Sequence, residues 1–412
     1  MATPAPNLDL AVTLADVEAA AGRIAGAVVR TPTLASRALS EKSGAQVWLK
    51  LENLQHTGAY KERGALNKLL LLPEELRARG VIAASAGNHS QGLAYHASRL
   101  GVPVTIVMPA PTPTMKVMQT EGHGAEVILH GQMFDDAYAE ARRLAEARGL
   151  TFVHPFDDFE VMAGQGTVAL ELLADAPELD ALIVPIGGGG LISGIGVAAK
   201  ALKPGIQLIG VQAELYPSMY AKFSRQQLAC AGDTLAEGIA VKAPGMLTSG
   251  VVNQLVDDIL LVSERQIENA VSLLVEAEKV VAEGAGATGL AALLAYPERF
   301  AGRKVGLVVT GGNIDTHLLA NVLLRNLARS GRMARLNIQL QDRPGALAGV
   351  VRLFEEHRVN IVEIYHQRVF TSLPAKDAAI EVVCEARDAA QLDRLTAALQ
   401  AADYITEPRA IE

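Results

Sequence analysis

Residues 181–202 read ALIVPIGGGGLISGIGVAAKAL. An apolar run containing the β-branched Ile183 and Val184 stops at Gly187, Gly188, Gly189 and Gly190, and helical spacing resumes near Leu191. Strand, glycine turn and helix in that order are the building unit of an α/β domain. The glycines let several backbone N–H groups converge on one point without Cβ interference, and the helix start adds positive potential, which together make a cradle for a phosphate. A tight turn that packs a helix closely on a sheet is the plainer alternative. No GK[ST] follows, so this is not a P-loop, and the spacing does not satisfy the dinucleotide fingerprint G-x-G-x-x-G with its acidic partner.

Outward from this unit, Leu14 to about Arg329 alternates strand-like runs with helical periods, as an α/β domain with a largely parallel sheet does. Strands are expected at residues 47–51, 81–84, 102–108, 126–129, 182–186, 207–212 and 304–310. Several end in glycine, asparagine or serine clusters, where ligands collect in open α/β sheets. The chain of 412 residues, half of them hydrophobic, is long enough for more than one domain with a sizeable core. A net charge of -8 with no long basic run argues against nucleic acid and for a small-molecule partner. Cys230 and Cys384 are the only cysteines, so neither a disulfide framework nor a cysteine-rich zinc site is expected, and the cytoplasm is the expected location. The N-terminus reads as a loose tail over residues 1–13 without a secretory leader, and no run of about 18 apolar residues indicates a membrane span.

Four further clusters bear on chemistry. HTGAYKERGALNKLL, residues 56–70, sets Lys61 between a glycine turn and a leucine-rich helix; a surface lysine at a helix end is the plainer reading. ASAGNHSQG, residues 84–92, joins strand to helix and offers the backbone of Ser85, Ala86, Gly87, Asn88 and His89 to a carboxylate, with the Asn88 amide free for a ring substituent. The alternatives are an N-cap at Ser85 or Asn88 and a structural His89. VVTGGNID, residues 308–315, places the neutral hydroxyl of Thr310 at a strand end, and VVAEGAGATG, residues 280–289, places Glu283 among small residues. A strand threonine and a helix-terminal glutamate are the competing explanations. Taken together, these clusters provide a partner for each polar end of pyridoxal 5'-phosphate: phosphate, aldehyde, phenolic oxygen and pyridine nitrogen.

TGAYKERGA, SAGNHSQG, GGGGLISG, EGAGA and TGGNID, in that order, resemble the threonine dehydratase (threonine ammonia-lyase) branch of the tryptophan synthase β-like, fold type II pyridoxal phosphate enzymes. The likeness covers about Leu14 to Arg329. It implies two open α/β subdomains, with Lys61 as the Schiff-base lysine and general base. It further implies Gly187 to Leu191 as the phosphate loop, Asn88 at the phenolic oxygen, Thr310 at the pyridine nitrogen, and Ser85 to His89 at the substrate carboxylate with Glu283 beside it. The implied reaction takes L-threonine to 2-oxobutanoate and ammonia, and L-serine to pyruvate, in a biosynthetic or a catabolic setting. A hydroxyaspartate dehydratase, a serine racemase and a non-catalytic amino-acid sensor are the alternatives. Relatives that racemise serine carry a serine where Ala86 stands. Ala59 and Tyr60 depart from the serine and phenylalanine common before the lysine, leaving the pocket's shape open. Gln212 replaces the glutamate of cation-dependent relatives, with Glu214 displaced by two, so no metal is expected.

The basic stretch LRNLARSGRMAR, residues 324–335, is the expected linker between a catalytic domain over residues 14–323 and a small α+β unit over residues 336–412. NIQLQDRPGALAGVVRLFEEHRVNIVEI, residues 337–364, resembles a regulatory ACT domain of ferredoxin-like α+β fold. The resemblance implies an amino-acid effector near Asp342, Pro344, Gly345, Ala346 and Leu347, and assembly as a homodimer or homotetramer. The turn also exposes N–H groups that suit a carboxylate, with Gly345 permitting close approach; a purely assembling domain is the alternative.

Overall fold

The strand that enters the glycine run is buried along its whole length, as a strand covered on both faces must be. It belongs to the first of two compact units into which the chain divides after Ile314. The computed structural model describes residues 12–369 and 373–408. The first unit contains β1 (Thr33–Ser36), β2 (Gln46–Leu51), β3 (Val81–Ala84), β4 (Val104–Met108), β5 (Glu126–Leu129), β6 (Thr151–Phe152), β7 (Ala181–Pro185), β8 (Gln207–Ala213), β9 (Asp258–Val262) and β10 (Lys304–Val309). One sheet has the order β1-β2-β10-β7-β8-β9 and is parallel except for the antiparallel β1. The other, β5-β4-β3-β6, is parallel throughout. These are the two open α/β subdomains.

Three strands fall outside the sequence expectation. β6 has two residues and β1 is largely exposed. β9 follows helix Met246–Leu255 after only Val256 and Asp257, and its apolar run ILLV is too short for periodicity to type. Of the expected tail, only Val12 and Thr13 lie within the described residues. Val12 is buried in the core, and Thr13 forms a capping box with Asp16 at the start of helix Leu14–Ile24.

Two helices fix the centre of the unit. Helix Lys61–Leu71 crosses helix Phe159–Asp175 so closely that a Cβ on Gly164 would lie 2.6 Å from Gly64 Cα. Beside this crossing the Arg63 guanidinium, wholly buried, pairs with Glu52 at 2.8 Å and Glu171 at 2.7 Å, while Lys50 reaches Glu171 at 2.6 Å. Thr31 donates to Glu52 at 2.5 Å. Each buried charge thus has an opposite partner, which is the condition for keeping charge in a core.

The second unit contains helix Thr316–Arg329, β11 (Met333–Gln341), helix Ala346–Glu356, β12 (Asn360–Gln367), β13 (Asp377–Glu385), helix Ala389–Ala401 and β14 (Ile405–Pro408). Its antiparallel sheet has the order β12-β13-β11-β14. Alternate residues Leu336, Ile338 and Leu340 of β11 meet Val350, Phe354, Leu395 and Leu399 in its core. The stretch expected as a linker, residues 324–335, is instead the end of helix Thr316–Arg329 and the start of β11, with residues 330–332 between. The Asp315 carboxylate caps that helix through the Leu318 N–H, and its basic residues belong to its last turns rather than to a break. Among the described residues no helix is long and apolar enough to cross a membrane.

Candidate active site

Lys61 is the first residue of its helix, and the turn before it is held by the next side chain. The buried Glu62 carboxylate accepts from the N–H of His56 at 3.2 Å, and from the N–H and hydroxyl of Thr57 at 3.3 and 3.2 Å. The Tyr60 N–H donates to Thr310 O, the Gly312 N–H to Gly58 O and the Glu283 N–H to Gly311 O, at 3.1, 2.9 and 3.0 Å. Three clusters distant in sequence therefore share one backbone ladder. The partly buried Lys61 amine donates to Pro155 O at 2.7 Å. Burial lowers its pKa to about 8, against the opposing charge of Glu283.

Around it stands a polar group of four side chains. The Asn88 amide donates to Glu283 Oε1 at 2.7 Å, and its oxygen accepts from Asn313 at 2.8 Å. Asn313 also donates to Thr57 O at 2.8 Å and to Gln91 at 3.3 Å. Burial pushes the Glu283 carboxyl up to about 7, opposed by the Asn88 hydrogen bond. Gly311 and Gly238 give it room, since a Cβ on them would lie 2.6 and 3.3 Å from Glu283 Oε1. Thr310 is buried at the end of β10. Among the described residues the N–H groups of Asn88, His89 and Ser90 at the start of helix Asn88–Arg99 have no protein acceptor, so this end can receive an anion. The His89 ring does not face it: buried, it donates through Nε2 to Val153 O at 3.1 Å. Burial, with Lys61 nearby, pushes it down to about 3. Its imidazole therefore serves the fold, and only its N–H remains for the expected carboxylate contact.

The glycine run leads from β7 into the next helix. Gly189 adopts φ 99° before helix Gly190–Leu202. A Cβ on Gly188 would lie 2.3 Å from the Phe156 ring, and one on Gly190 2.9 Å from the Phe156 backbone. Among the described residues no acceptor meets the N–H groups of Gly188, Gly189, Gly190 or Leu191. Thr248 Oγ1 holds the Gly188 carbonyl at 2.6 Å, and the Asp157 carboxylate holds the N–H of Thr248 at 3.1 Å. Free donors at a helix start, with no space for side chains on Gly188 and Gly190, fit a phosphate.

Residues 24–311 match the family of pyridoxal-phosphate dependent enzymes. The chain belongs to that family. Residues 334–403 match the ACT domain. This pyridoxal-phosphate enzyme is 44% identical over 395 residues to an L-threonine ammonia-lyase of Thermotoga maritima, covering 95% of this chain and 98% of that protein. Its fold is similar to that of the processed form of threonine deaminase isoform 2 from Solanum lycopersicum (32% identity, TM-score 0.72, 77% of this chain and 87% of that one). It is also similar to a serine racemase from Dictyostelium discoideum (35% identity, TM-score 0.69, 74% and 99%). The enzyme's cofactor is pyridoxal 5'-phosphate, and the residues present fit it: a partly neutral amine, a free N–H cradle, and the hydroxyl of Thr310.

Sequence reasoning missed Pro155, Phe156, Asp157, Thr248, Asn313 and Gly238. The first three follow β6, which is too short to announce itself, and Asn313 lay unassigned within TGGNID. At Gln212 a buried neutral amide donates to Ile186 O at 3.1 Å and accepts from the Tyr220 N–H at 2.8 Å. In the second unit, Asp342 pairs with Arg368 at 3.1 Å, and Pro344 is exposed. Gly345 adopts φ 90° before helix Ala346–Glu356, with nothing within 4 Å of a built Cβ. That glycine is required by conformation rather than by close approach. Ala346 and Leu347 pack partly against the core.

Proposed function

We propose that this enzyme dehydrates and deaminates L-threonine to 2-oxobutanoate and ammonia, and L-serine to pyruvate. The arrangement that carries the reading is the Lys61 amine, held at 2.7 Å by Pro155 O between the free N–H groups of two helix starts. The likeness of the whole chain to an L-threonine ammonia-lyase supports the substrate. When bound, the cofactor supplies an electron sink for charge developing at the substrate's α-carbon.

The chain's own residues do the rest. Gly187 to Leu191 would take the cofactor phosphate, Asn88 the phenolic oxygen, and Thr310 the pyridine nitrogen through a neutral hydroxyl. Ala86, Gly87, Asn88 and His89 would receive the substrate carboxylate on backbone N–H groups and Ser85 through its hydroxyl alone, since its N–H donates to Val107 O at 3.2 Å, with Glu283 behind Asn88. Lys61, with its pKa lowered to about 8, has a neutral fraction near neutral pH and takes the α-proton. The β-hydroxyl leaves as water once a proton has reached its oxygen in exchange for the one Lys61 takes from the α-carbon, and hydrolysis of the released enamine gives the 2-oxo acid and ammonia. Ala86 has no group to exchange a proton, so racemisation is minor.

We further infer that the second unit binds an amino acid near Asp342 to Leu347, and that the enzyme is a cytoplasmic homodimer or homotetramer. Strand β12, at one end of its sheet, exposes Val362 and Tyr365, an edge that suits pairing with another copy.

The test is turnover of purified holoenzyme on L-threonine, L-serine and 3-hydroxyaspartate, with chiral analysis of recovered serine. Threonine should be preferred and Lys61→Ala inactive. Full turnover by Lys61→Ala would refute the role of Lys61, and preference for hydroxyaspartate or fast racemisation would refute the substrate. Calorimetry of the full chain with isoleucine, valine and threonine should show binding that Asp342→Ala weakens; no binding refutes the control.

A further inference from the structure

The segment after β6, VHPFDD at residues 153–158, touches the site at three separate points. Pro155 O accepts from Lys61 at 2.7 Å. The Phe156 ring fills the space that side chains on Gly188 would need, and its backbone does so at Gly190. The Asp157 carboxylate accepts from the N–H of Met246 and Thr248, each at 3.1 Å, and Thr248 in turn holds the Gly188 carbonyl at 2.6 Å.

One side chain gathers these three residues. His154 Nδ1 accepts from the N–H of Asp157 at 2.8 Å and of Phe156 at 3.3 Å. An imidazole nitrogen that accepts two backbone N–H groups must be unprotonated, so the ring is the neutral Nε2–H tautomer. Its environment keeps it so: burial foremost, with Lys61 and Arg142 adding to it against Asp157, pushes the group down to about 4. The ring's orientation is set by edge contacts with Phe156, Tyr138 and Phe152 at 4.6, 6.1 and 6.2 Å between centroids. Next to it, the Val153 carbonyl receives His89 Nε2 at 3.1 Å, so the turn is anchored on both sides.

We propose that His154 is a positioning residue for the reaction: through Nδ1 it ties the turn that presents the Pro155 carbonyl to Lys61, the Phe156 ring to the glycine loop, and the Asp157 carboxylate to the Thr248 clamp. The inference rests on the assignment of Lys61 and Gly187 to Gly190 to the cofactor. It distinguishes the ring's acceptor from its aromatic bulk, and substitutions can separate the two. His154→Phe keeps the bulk and removes the acceptor. His154→Asn keeps an oxygen near the Nδ1 position and removes the ring, and His154→Gln places its polar group near Nε2.

The readouts are inorganic phosphate affinity of the apoenzyme by calorimetry, cofactor affinity by the visible band, and the pH midpoint of Lys61 acylation in the apoenzyme. Loss of two N–H acceptor bonds should weaken phosphate and cofactor binding about tenfold in His154→Phe and His154→Gln, with His154→Asn within about threefold of wild type. The Lys61 midpoint should fall in His154→Phe, because the ammonium loses its carbonyl, and hold in His154→Asn. Equal behaviour of the Phe and Asn variants, or a better-binding Phe variant, overturns the proposal. If His154→Asn does not fold by circular dichroism, unchanged phosphate affinity and Lys61 midpoint in His154→Phe overturn it, and loss of both upholds it. Failure of the underlying assignment has a different signature: wild-type apoenzyme binds no phosphate, and Lys61→Ala keeps the visible band.

Discussion

Replacing Glu283 by glutamine should stabilise the apoenzyme in alkaline solution and leave it nearly unchanged in acid. Burial raises this carboxyl from 4.5 to about 7, in spite of the Asn88 hydrogen bond and the positive charges of Lys116 and Lys61; Glu237 adds to the rise. A carboxyl whose folded pKa exceeds its unfolded one binds more protons when folded. Stability is therefore full below about pH 4.5 and falls as pH rises through about 7. The shift corresponds to a ceiling of about 3 kcal/mol at alkaline pH, at about 1.4 kcal/mol per pH unit. Glutamine retains an acceptor for Asn88 Nδ2, now at 2.7 Å, and carries no charge to desolvate. For a unit of this size the gain amounts to a rise in Tm of up to about 6 °C. Thermal unfolding of wild-type and Glu283→Gln apoenzyme at pH 5 and pH 8.5, followed by circular dichroism, measures it. A Tm difference equal at both pH values, or one that favours wild type at pH 8.5, would refute the reasoning.

Two further outcomes follow from packing and charge. Gly188→Ala puts a Cβ 2.3 Å from the Phe156 ring, so cofactor affinity, read from the visible band, should fall about tenfold or more as the cradle and ring move apart; unchanged affinity would show that the loop yields without cost. Arg63→Met strands the wholly buried Glu52 carboxylate and should cost about 3–5 kcal/mol. The double variant Arg63→Met/Glu52→Met should recover most of that loss in urea unfolding, and a double variant as unstable as the single would contradict the pairing.

Glycines were the most legible part of this molecule, because a residue without a side chain marks a place where the backbone itself must meet something. Gly187 to Gly190 read as a cradle from sequence, and the N–H groups of Gly188 to Gly190 meet no acceptor among the described residues; the strand ends at Ala84, Pro185 and Val309 lead into the clusters that meet around Lys61. The contact between Asn88 and Glu283 spans 195 positions, and no spacing rule joins residues so far apart. Lys50 and Glu52 sit in VWLKLEN, where a charged residue ordinarily marks a solvent-facing position. They are buried because Arg63 and Glu171, from two other helices, neutralise them, so their place depends on a crossing that only the fold supplies.

The place of the His89 ring and the omission of residues 154–157 both turn on backbone carbonyls. His89 read either as an N–H donor to a carboxylate or as a structural residue, and its ring serves Val153 O. Pro155, which has no polar side-chain atom, supplies the acceptor for Lys61 through its carbonyl. Any residue can contribute a carbonyl, so its identity leaves no mark at that position. What marks it are the neighbours that aim it, here the Nδ1 of His154 and the carboxylate of Asp157. A lysine in such a site is therefore better sought together with a short turn rich in side-chain acceptors than with a second titratable partner, because a neutral carbonyl raises the amine's pKa less than a carboxylate would.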